Sequence, residues 1–313
     1  MTLAEAYERM LVIRRFEEEI ERLFLRGEVH GTTHLCIGQE AVAVGVAAAL
    51  RQDDLLAATY RGHGHALALG VDPTGLAAEL MGRETGTCGG RAGSMNVVDL
   101  DNGLLGCFGI VGGTMAAATG VGFAFRDSDR VAVAMFGDGT ANQAYFAECL
   151  NFAAVFELPV VFVMEHNLYG EYTPWERVTA GADIPARVAA LGIPTRTVDG
   201  MDPLAVFDAA GEAVARAREG NGPTFLECRT YRFVGHSRTD PGRYRPDGEL
   251  EAWRERDPIT LAAAALHARG GDDEDNVAEI TATVDARIAA SFETALAAPF
   301  PTASDPLPEY CDA

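Results

Sequence analysis

Residues 131–167 read VAVAMFGDGTANQAYFAECLNFAAVFELPVVFVMEHN and contain two short apolar runs, 131–136 and 159–164. Each run is continuously apolar rather than alternating, which is typical of parallel strands that are covered on both faces. The stretch 142–156 between them predicts a helix of the length that a crossover connection needs. The segment therefore predicts an α/β fold, with a mostly parallel sheet covered by helices on both faces.

The two ends of the chain predict long amphipathic helices, because apolar residues recur there every three or four positions. These residues are Leu3, Ala6, Met10, Ile13, Phe16, Ile20 and Leu23 near the start, and Val277, Ile280, Val284, Ile288 and Phe292 near the end. We expect three parts: an N-terminal helix over 1–30, an α/β domain over 31–260, and a C-terminal helix with an extended, proline-punctuated tail over 261–313.

The middle of the chain predicts further helices over 38–50, 186–191 and 203–218, and a further strand over 224–231. The glycine-punctuated stretch 83–113 is too long and irregular for an ordinary connection, and segments of that kind are usually functional or disordered. Because glycines are interspersed there with apolar residues, we expect an ordered active-site loop.

The charge of the chain excludes several classes of function. Its 313 residues include 25 arginines and no lysine, and the formal net charge is −21. Without a lysine amine, Schiff-base chemistry is excluded, as are the lysine-dependent phosphate sites of P-loop nucleotide hydrolases and protein kinases. The acidic balance argues against a duplex-DNA binder, whose affinity comes mainly from neutralising phosphates. A solvated surface is the simplest interpretation of the charge.

The sequence predicts neither export nor membrane insertion. No apolar run reaches the ~18 residues of a membrane span, and the first residues lack a basic start followed by an apolar stretch. The six cysteines form no CxxC pair, which predicts reduced thiols packed mostly in the core. They are Cys36, Cys88, Cys107, Cys149, Cys228 and Cys311. We therefore expect a cytoplasmic protein.

Polar residues follow the two predicted strands. Asp138 lies between two glycines after the first strand, and Asn167 follows the second. Since ligands bind beyond the carboxyl ends of parallel strands, both side chains can reach the same place. A carboxylate with an amide oxygen suits a hard cation such as Mg²⁺, and the glycines and the following helix N-terminus suit a phosphate. A tight turn without any ligand is the alternative.

The spacing of Gly137-Asp138-Gly139 and His166-Asn167, with 26 residues between them, resembles the signature of thiamine-diphosphate enzymes. The wider stretch 137–178 resembles the α subunits of two-chain 2-oxo acid dehydrogenase E1 components, including those of acetoin dehydrogenases. The resemblance covers nearly the whole chain. It rests on further motifs in the same order, namely THLCIGQEA (33–41), ATYRGHG (58–64), GGRAGSMNVVD (89–99), GIVGG (109–113) and TYRFVGHSRTDP (230–241).

The resemblance implies thiamine diphosphate and Mg²⁺ as cofactors. Mg²⁺ would be held by Asp138, Asn167 and the backbone carbonyl of Tyr169. The implied cofactor-binding residues are Tyr60, Arg61, Gly109, Val111, Asp138, Gly139, Thr140, Asn167, Arg232 and His236. The implied catalytic residues are His34 and His236, which match histidines that face the reactive carbon and would act as proton donors or electrostatic stabilisers.

The resemblance also implies partners. In the family a glutamate that assists the cofactor belongs to a β subunit, so this chain would supply the diphosphate and metal half of a shared site in an α₂β₂ assembly. The small residues of 109–125 fit a helix contact, either with such a partner or within the monomer. The acyl group from a 2-oxo acid such as pyruvate, or from cleaved acetoin, would pass to a lipoyl acyltransferase, the E2 component.

Several residues of these motifs also have structural interpretations. His63 and His65 could be solvent-exposed or stabilise a loop rather than take part in catalysis, and His236 could cap a turn. Glu40 is a favourable charge near the start of the second predicted helix. Glu148 is expected to support the junction between the first strand and its helix.

The sequence departs from the family pattern at a few positions. His166 replaces the first asparagine of the usual pair, Asn96 replaces a histidine, and Ala144 replaces a glycine. Ala147 stands where bacterial relatives often have histidine. None of these departures touches the implied metal ligands, but they bear on substrate and partner contacts. Ser237 aligns with a residue phosphorylated in animal relatives, and nothing in the sequence supports regulation there.

Two other functions stay open at this point. One is a two-chain carboligase or transketolase-like enzyme that uses the same cofactor without a lipoyl acceptor. The other is a catalytically silent partner subunit that only stabilises its β chain. The presence of Asp138, Asn167, Tyr60, Arg61 and His236 argues against the silent subunit, which would not need them.

Overall fold

A parallel sheet forms the centre of the computed structural model, which describes residues 1–181, 183–269 and 272–302. Six strands pair in the order β2-β1-β3-β4-β8-β7, and every pairing is parallel. They are β1 (Leu55–Thr59), β2 (Leu104–Phe108), β3 (Ala132–Gly137), β4 (Val160–His166), β7 (Thr195–Asp199) and β8 (Thr224–Arg229). A two-stranded antiparallel hairpin follows β4 and consists of β5 (Tyr169–Gly170) and β6 (Thr173–Pro174). The predicted fold class is confirmed.

Eleven α-helices surround the sheet within the described ranges. They are α1 (Leu3–Leu25), α2 (Glu40–Ala48), α3 (His63–Leu69), α4 (Pro73–Leu80), α5 (Gly113–Phe125), α6 (Ala144–Val155), α7 (Ile184–Ala189), α8 (Pro203–Arg218), α9 (Glu249–Arg254), α10 (Pro258–Arg269) and α11 (Asp272–Ala297). Three short 3₁₀ helices cover Leu100–Asn102, Asp138–Asn142 and Trp175–Arg177. None of the helices in these ranges is long and apolar enough to cross a membrane.

The sheet separates two hydrophobic cores. Val133 and Met135 of β3 pack with residues of α1, α2, α8 and α11 on one face, whereas Ala134 and Phe136 pack with residues of α5, α6 and α7 on the other. All four side chains are fully buried. A strand buried on both faces has apolar residues at every position. This burial explains why the sequence of β3 is a continuous apolar run.

Local sequence signals set several helix starts. At α1, Thr2 Oγ1 accepts the N–H of Glu5, and the Glu5 carboxylate accepts the N–H of Thr2 in return, which is a capping box. Asp72 and Asp202 cap α4 and α8 with the side chain alone, each accepting one or more backbone N–H groups of the first helical turn. Each of these aspartates is followed by a proline in the first helical turn, where a missing N–H breaks no helical hydrogen bond.

The two terminal helices pack against each other, with the ring centroids of Phe16 and Phe292 5.1 Å apart. The predicted apolar stripe of α11 is buried except for Ile280, which is partly buried. The division of the chain at residues 30 and 260 stays a prediction. The five described cysteines are free thiols, while Cys311 and most of the predicted tail lie in 303–313, outside the described residues.

The sequence interpretation missed five of the eight described strands: β1, β2 and β7 of the parallel sheet, and β5 and β6 of the hairpin. β2 lies inside the stretch 83–113, so the expectation of a loop throughout that stretch was wrong. β1 and β2 have five residues each, too few for periodicity to identify them. The predicted bounds of other elements shift by a few residues: the second helix is shorter at both ends, and the last strand ends at Arg229.

Candidate active site

The carboxyl ends of five neighbouring strands, β2, β1, β3, β4 and β8, open into a cavity of about 430 Å³. Each strand contributes residues that lie at or just after its end. The cavity brings together all twelve residues that the resemblance implied for the site, namely His34, Tyr60, Arg61, Gly109, Val111, Asp138, Gly139, Thr140, Asn167, Tyr169, Arg232 and His236. Their individual roles stay predictions.

Asp138 and Asn167 form one end of the cavity, because they follow the paired strands β3 and β4. Asp138 is buried, and its Oδ2 has no hydrogen-bond partner among the described residues. Burial raises the pKa of Asp138, since a carboxylate removed from water needs a compensating partner. Asn167 Oδ1 accepts the N–H of Tyr169 at 3.3 Å and keeps a second lone pair. These hard oxygens are suited to Mg²⁺.

Leu168 connects Asn167 to Tyr169 in a left-handed conformation, with φ of 73°. Leucine rarely adopts this conformation, so the surrounding structure must hold it. The N–H of Trp175 donates to the Leu168 carbonyl at 3.0 Å, at the end of the β5–β6 hairpin. The hairpin thus brings the backbone of Tyr169 back beside Asn167, where its carbonyl could serve as a metal ligand.

Glycines leave space for a ligand next to Asp138. A Cβ added to Gly139 would lie 3.6 Å from the Cα of Gly170, and both glycines line the cavity. The helix predicted over 142–156 is α6, which begins at Ala144, and residues Asp138–Asn142 before it form a 3₁₀ helix. The amide groups next to the cavity therefore belong to the 3₁₀ turn rather than to an α-helix N-terminus.

Two buried arginines place positive charge in the cavity of a protein whose net charge is −21. Arg61 donates to the carbonyls of Leu35 and His236, and burial beside Arg232 lowers the pKa of Arg61 to about 10. Arg232 donates to the carbonyl of Glu171 at 3.0 Å, but its Nη1 has no partner within the described part of the chain. Neighbouring buried cations need an anion, and a guanidinium is well suited to phosphate oxygens.

His34, His236 and Tyr60 form an aromatic group at the cavity wall. The ring centroid of His34 lies 4.5 Å from that of Tyr60 and 4.9 Å from that of His236. Burial, together with the positive charge of Arg61, lowers the pKa of His34 to about 3 and that of His236 to about 4. Both imidazoles are therefore neutral at pH 7, with pKa values well below the ordinary histidine value of 6.5.

His63 and His65 are buried in α3, so the solvent-exposed interpretation was wrong. His63 Nδ1 lies 2.9 Å from Glu17 Oε2, and its Nε2 lies 2.8 Å from Ser94 Oγ. His65 Nε2 lies 3.5 Å from Glu165 Oε1. Neither histidine belongs to the cavity lining. His63 therefore connects α1 to the glycine-rich segment that contains Ser94, which is the loop-stabilising role.

Sequence reasoning missed several residues of the cavity lining, among them Gln39, Met95 and Glu165. Gln39 donates to Glu165 Oε1 at 3.0 Å and accepts from Asn167 Nδ2 at 3.1 Å. Each of the three lies inside a motif that carried the family resemblance. The motifs alone did not identify them, because these contacts join segments more than a hundred residues apart.

Two predicted structural roles have different outcomes. Glu40 begins α2, as expected, and is fully buried against Arg14, with Oε1 2.5 Å from Nε. Glu148 is exposed on α6, so the expected support of the junction between β3 and the helix was wrong. The side chain of Glu148 points to the surface because it lies on the face of α6 opposite Phe146 and Leu150, which pack against the sheet.

The departures from the family pattern lie in two environments. His166 is buried, with Nδ1 2.8 Å from Glu227 Oε1 and its ring 4.5 Å from that of Trp175. Asn96, Ala144 and Ala147 are exposed. The half-buried Ser237 has its Oγ 3.3 Å from Thr239 Oγ1. The exposed positions can affect contacts with other molecules without changing this chain's core.

An exposed apolar surface lies on α5 and α6, and we call it the α5–α6 patch. Its members are Phe123 of α5, Phe152 and Val155 of α6, and Phe156 directly after α6, which are 39% to 66% exposed. The three phenylalanine rings contact one another, with centroids 4.7 to 5.9 Å apart. A contiguous apolar surface of this kind is typical of a contact with another protein.

The fold and the cavity define an α/β protein with buried charged groups in a cavity at the carboxyl edge of its parallel sheet. Comparison with known families is specific: the model of the family described as "Dehydrogenase E1 component" matches residues 8–304. The chain belongs to this family. The family comprises thiamine-dependent oxidoreductase components, so the E1 α interpretation fits better than a carboligase or a silent subunit.

Individual relatives agree with the family. The α subunit of acetoin:2,6-dichlorophenolindophenol oxidoreductase from Bacillus subtilis is 48% identical over 256 residues, which cover 81% of this chain and 77% of the relative. The pyruvate dehydrogenase E1 α subunit of Rhizobium meliloti is 43% identical over 304 residues, covering 96% and 87%. The α subunit of acetoin:2,6-dichlorophenolindophenol oxidoreductase from Cupriavidus necator is 42% identical over 307 residues, which cover 97% of this chain and 92% of the relative. Each name describes one subunit of a larger enzyme.

Proposed function

We propose that this chain is the α subunit of a two-chain E1 component that acts on a 2-oxo acid such as pyruvate, or on acetoin, and passes the acyl group to a lipoyl acyltransferase. One observation carries the proposal. In a chain of this family, Asp138 Oδ2 and Arg232 Nη1 lie buried in the same cavity, and neither atom has a hydrogen-bond partner among the described residues. A divalent cation and a diphosphate would satisfy both.

The residues present fit Mg²⁺ and thiamine diphosphate. Asp138, Asn167 and the carbonyl of Tyr169 would hold the metal ion. The diphosphate would lie against Arg61, Arg232, Tyr60, Gly139 and Thr140, and the aminopyrimidine against the backbone of Gly109 and Val111. When bound, thiamine diphosphate supplies an electron sink for breaking a carbon–carbon bond next to a carbonyl. The chain itself supplies charge compensation and a fixed geometry.

The two neutral histidines would orient the substrate and hold a proton. His34 Nδ1 is buried with no partner among the residues that the structure describes, so it can accept a hydrogen bond from a ligand or donate one to it. A neutral imidazole can donate its N–H to a carbonyl oxygen without adding a third positive charge beside Arg61 and Arg232. The His236 ring lies 4.9 Å from that of His34, centroid to centroid, so both imidazoles would face the same part of a bound substrate.

A β subunit would complete the site. Ile110, just before α5, is 70% exposed and lines the cavity, so a partner that extends from the patch along α5 would reach the ligand. The patch thus supports a site shared between two chains, and we propose an α₂β₂ assembly. On this proposal the chain purified alone is inactive with an artificial electron acceptor, and turnover by the chain alone would overturn the shared site.

The substrate is the point that needs experiment, because relatives named for pyruvate and for acetoin are similarly close in sequence. The test uses the co-purified α and β chains with thiamine diphosphate and Mg²⁺, offered pyruvate, branched 2-oxo acids or acetoin. We expect acetylation of a lipoyl protein from pyruvate or acetoin. Formation of an acyloin without any transfer to lipoyl protein would contradict the E1 activity and favour the carboligase.

A further inference from the structure

A chain of three buried polar side chains leads from Glu165 to the proposed metal ligand Asn167. Gln39 Nε2 donates to Glu165 Oε1 at 3.0 Å, and Gln39 Oε1 accepts from Asn167 Nδ2 at 3.1 Å. All three side chains are at most 8% exposed and line the cavity. Asn167 is thus hydrogen-bonded through its amino group, and its Oδ1 faces the N–H of Tyr169 at 3.3 Å.

The direction of these hydrogen bonds matters because an amide has two unlike ends. A carboxylate oxygen only accepts hydrogen bonds, so Glu165 requires the amino end of Gln39. The oxygen of Gln39 then faces Asn167, so Asn167 must donate a hydrogen bond to it from its own amino group. The oxygen of Asn167 remains as the end that can bind a cation. With the opposite orientation, an NH₂ group would face the metal ion and repel it.

The position of Gln39 is itself fixed by its neighbours in the chain. Gly38 has φ of 100°, and a Cβ there would lie 2.4 Å from the carbonyl oxygen of Tyr231, so the backbone packs too closely for another residue. Glu40 on the other side is fully buried in its ion pair with Arg14. Gln39 cannot move away without disturbing both contacts, so it acts as a rigid link between Glu165 and Asn167.

We infer that Gln39 is a positioning residue for divalent-cation binding: it transmits the acceptor-only character of Glu165 to Asn167 and so fixes the Asn167 oxygen as the metal ligand. This inference rests on the proposed metal site and adds to it a residue that does not itself contact the metal ion. Loss of a residue that orients a metal ligand typically weakens metal binding by about 10-fold to 100-fold.

The test measures metal binding directly. The α and β chains are co-purified, freed of metal and titrated with Mn²⁺ in the presence of thiamine diphosphate, and the electron paramagnetic resonance signal reports free Mn²⁺. Gln39→Met keeps the length and charge of the side chain but removes both hydrogen bonds, so we expect affinity to fall by about 10-fold or more. Gln52→Met, at an exposed glutamine, is the matched control and should bind as the wild type does.

Exchanging the residues at positions 39 and 165 distinguishes an effect on the orientation of the Asn167 amide from effects on net charge and on packing. Glu165→Gln removes the acceptor-only group and should also weaken Mn²⁺ binding. The double variant Gln39→Glu/Glu165→Gln restores the net charge and still requires the amino group of Asn167 to face position 39. We expect it to recover affinity to within about 3-fold of the wild type, which general loosening of the site would not allow.

The outcomes are distinguishable from failure of the proposed function. If the wild-type assembly does not bind Mn²⁺ with thiamine diphosphate, the proposed metal site is wrong, and the inference with it. If the wild type binds and Gln39→Met binds equally well, the inference alone is overturned. It is also overturned if both single variants bind weakly and the double variant, folded and assembled, does not recover.

Discussion

Asp138 Oδ2 and His166 Nε2 face each other across 3.9 Å at the ends of two paired strands, and neither atom has a hydrogen bond to any described residue. Glu227 holds the other side of the imidazole, with Oε1 2.8 Å from Nδ1. The gap is too long for a hydrogen bond. The Asp138 carboxylate thus remains incompletely compensated, and the protein tolerates this cost at the place where a cation would bind.

Asp138→Asn should raise the stability of the cofactor-free assembly and abolish its binding of Mg²⁺. The variant removes a buried negative charge that lacks a full set of partners, so the assembly without metal should become more stable by about 1 to 2 kcal/mol. Thermal unfolding of the cofactor-free assembly should shift upward by a few degrees. Binding of Mg²⁺ and turnover should be lost, because an amide cannot replace the charge of a carboxylate ligand.

The control for this prediction is Asp53→Asn, at an exposed aspartate, which should change neither the melting temperature nor the activity. If Asp138→Asn lowers the melting temperature of the cofactor-free assembly, its carboxylate is better compensated than the contacts indicate. If the variant retains near-normal activity, the metal assignment is wrong.

The pH dependence of stability should report the buried state of His34. Its pKa is about 3 in the folded chain, against 6.5 as the ordinary value, so the unfolded chain takes up the proton first as the pH falls. The stability due to the neutral imidazole is therefore complete above pH 6.5 and is lost progressively as the pH falls towards about 3. Between pH 7 and pH 5, His34→Gln should lose less stability than the wild type, by at most about 2 kcal/mol.

Urea unfolding of the cofactor-free assembly at pH 7, 6 and 5 measures this difference. His30→Gln, at an exposed histidine, is the matched control and should follow the wild type. If the free energy of unfolding fell equally with pH in the wild type and in His34→Gln, the His34 imidazole would be protonated in the folded protein. The proposed role of His34 as a neutral donor would then fail.

Glu79 should control the order of the glycine-rich segment 86–95. Its buried carboxylate accepts four backbone N–H groups, those of Cys88 and Gly90 at Oε2 and those of Ala92 and Gly93 at Oε1, at 2.6 to 3.0 Å. Glu79→Gln replaces one acceptor by an amino group, which leaves two N–H groups facing a donor. We expect destabilisation of about 2 to 3 kcal/mol.

Limited trypsin digestion reports the loosening locally. Trypsin cleaves only after arginine in a chain without lysine, and Arg91 is exposed within this segment. Cleavage after Arg91 should be faster in Glu79→Gln than in the wild type, while Glu84→Gln, a neighbouring exposed glutamate, should be cut at the wild-type rate. Equal rates for all three proteins would show that the four hydrogen bonds do not hold the segment.

The sequence could predict the parts of the site that depend on strand order. Asp138 and Asn167 follow two continuous apolar runs joined by one helix, so their neighbouring positions follow from the geometry of a parallel sheet. The roles of Glu79 and Gln39 could not be predicted, because they depend on contacts between segments that only the tertiary structure brings together. Similarly, the left-handed backbone conformation of Leu168 could not be predicted, because leucine rarely adopts positive φ and its presence in the sequence indicates the opposite.

The last prediction concerns the α5–α6 patch. Phe156 is 51% exposed at the end of α6 and contacts the rings of Phe123 and Phe152. Phe156→Asp places a charge in the proposed contact with the β subunit, so affinity for that subunit should fall by at least about 30-fold, the effect of losing a central interface residue. Size-exclusion chromatography of mixed α and β chains measures assembly. Leu25→Asp, at another exposed apolar residue, should assemble normally, and unchanged assembly of Phe156→Asp would place the β contact elsewhere.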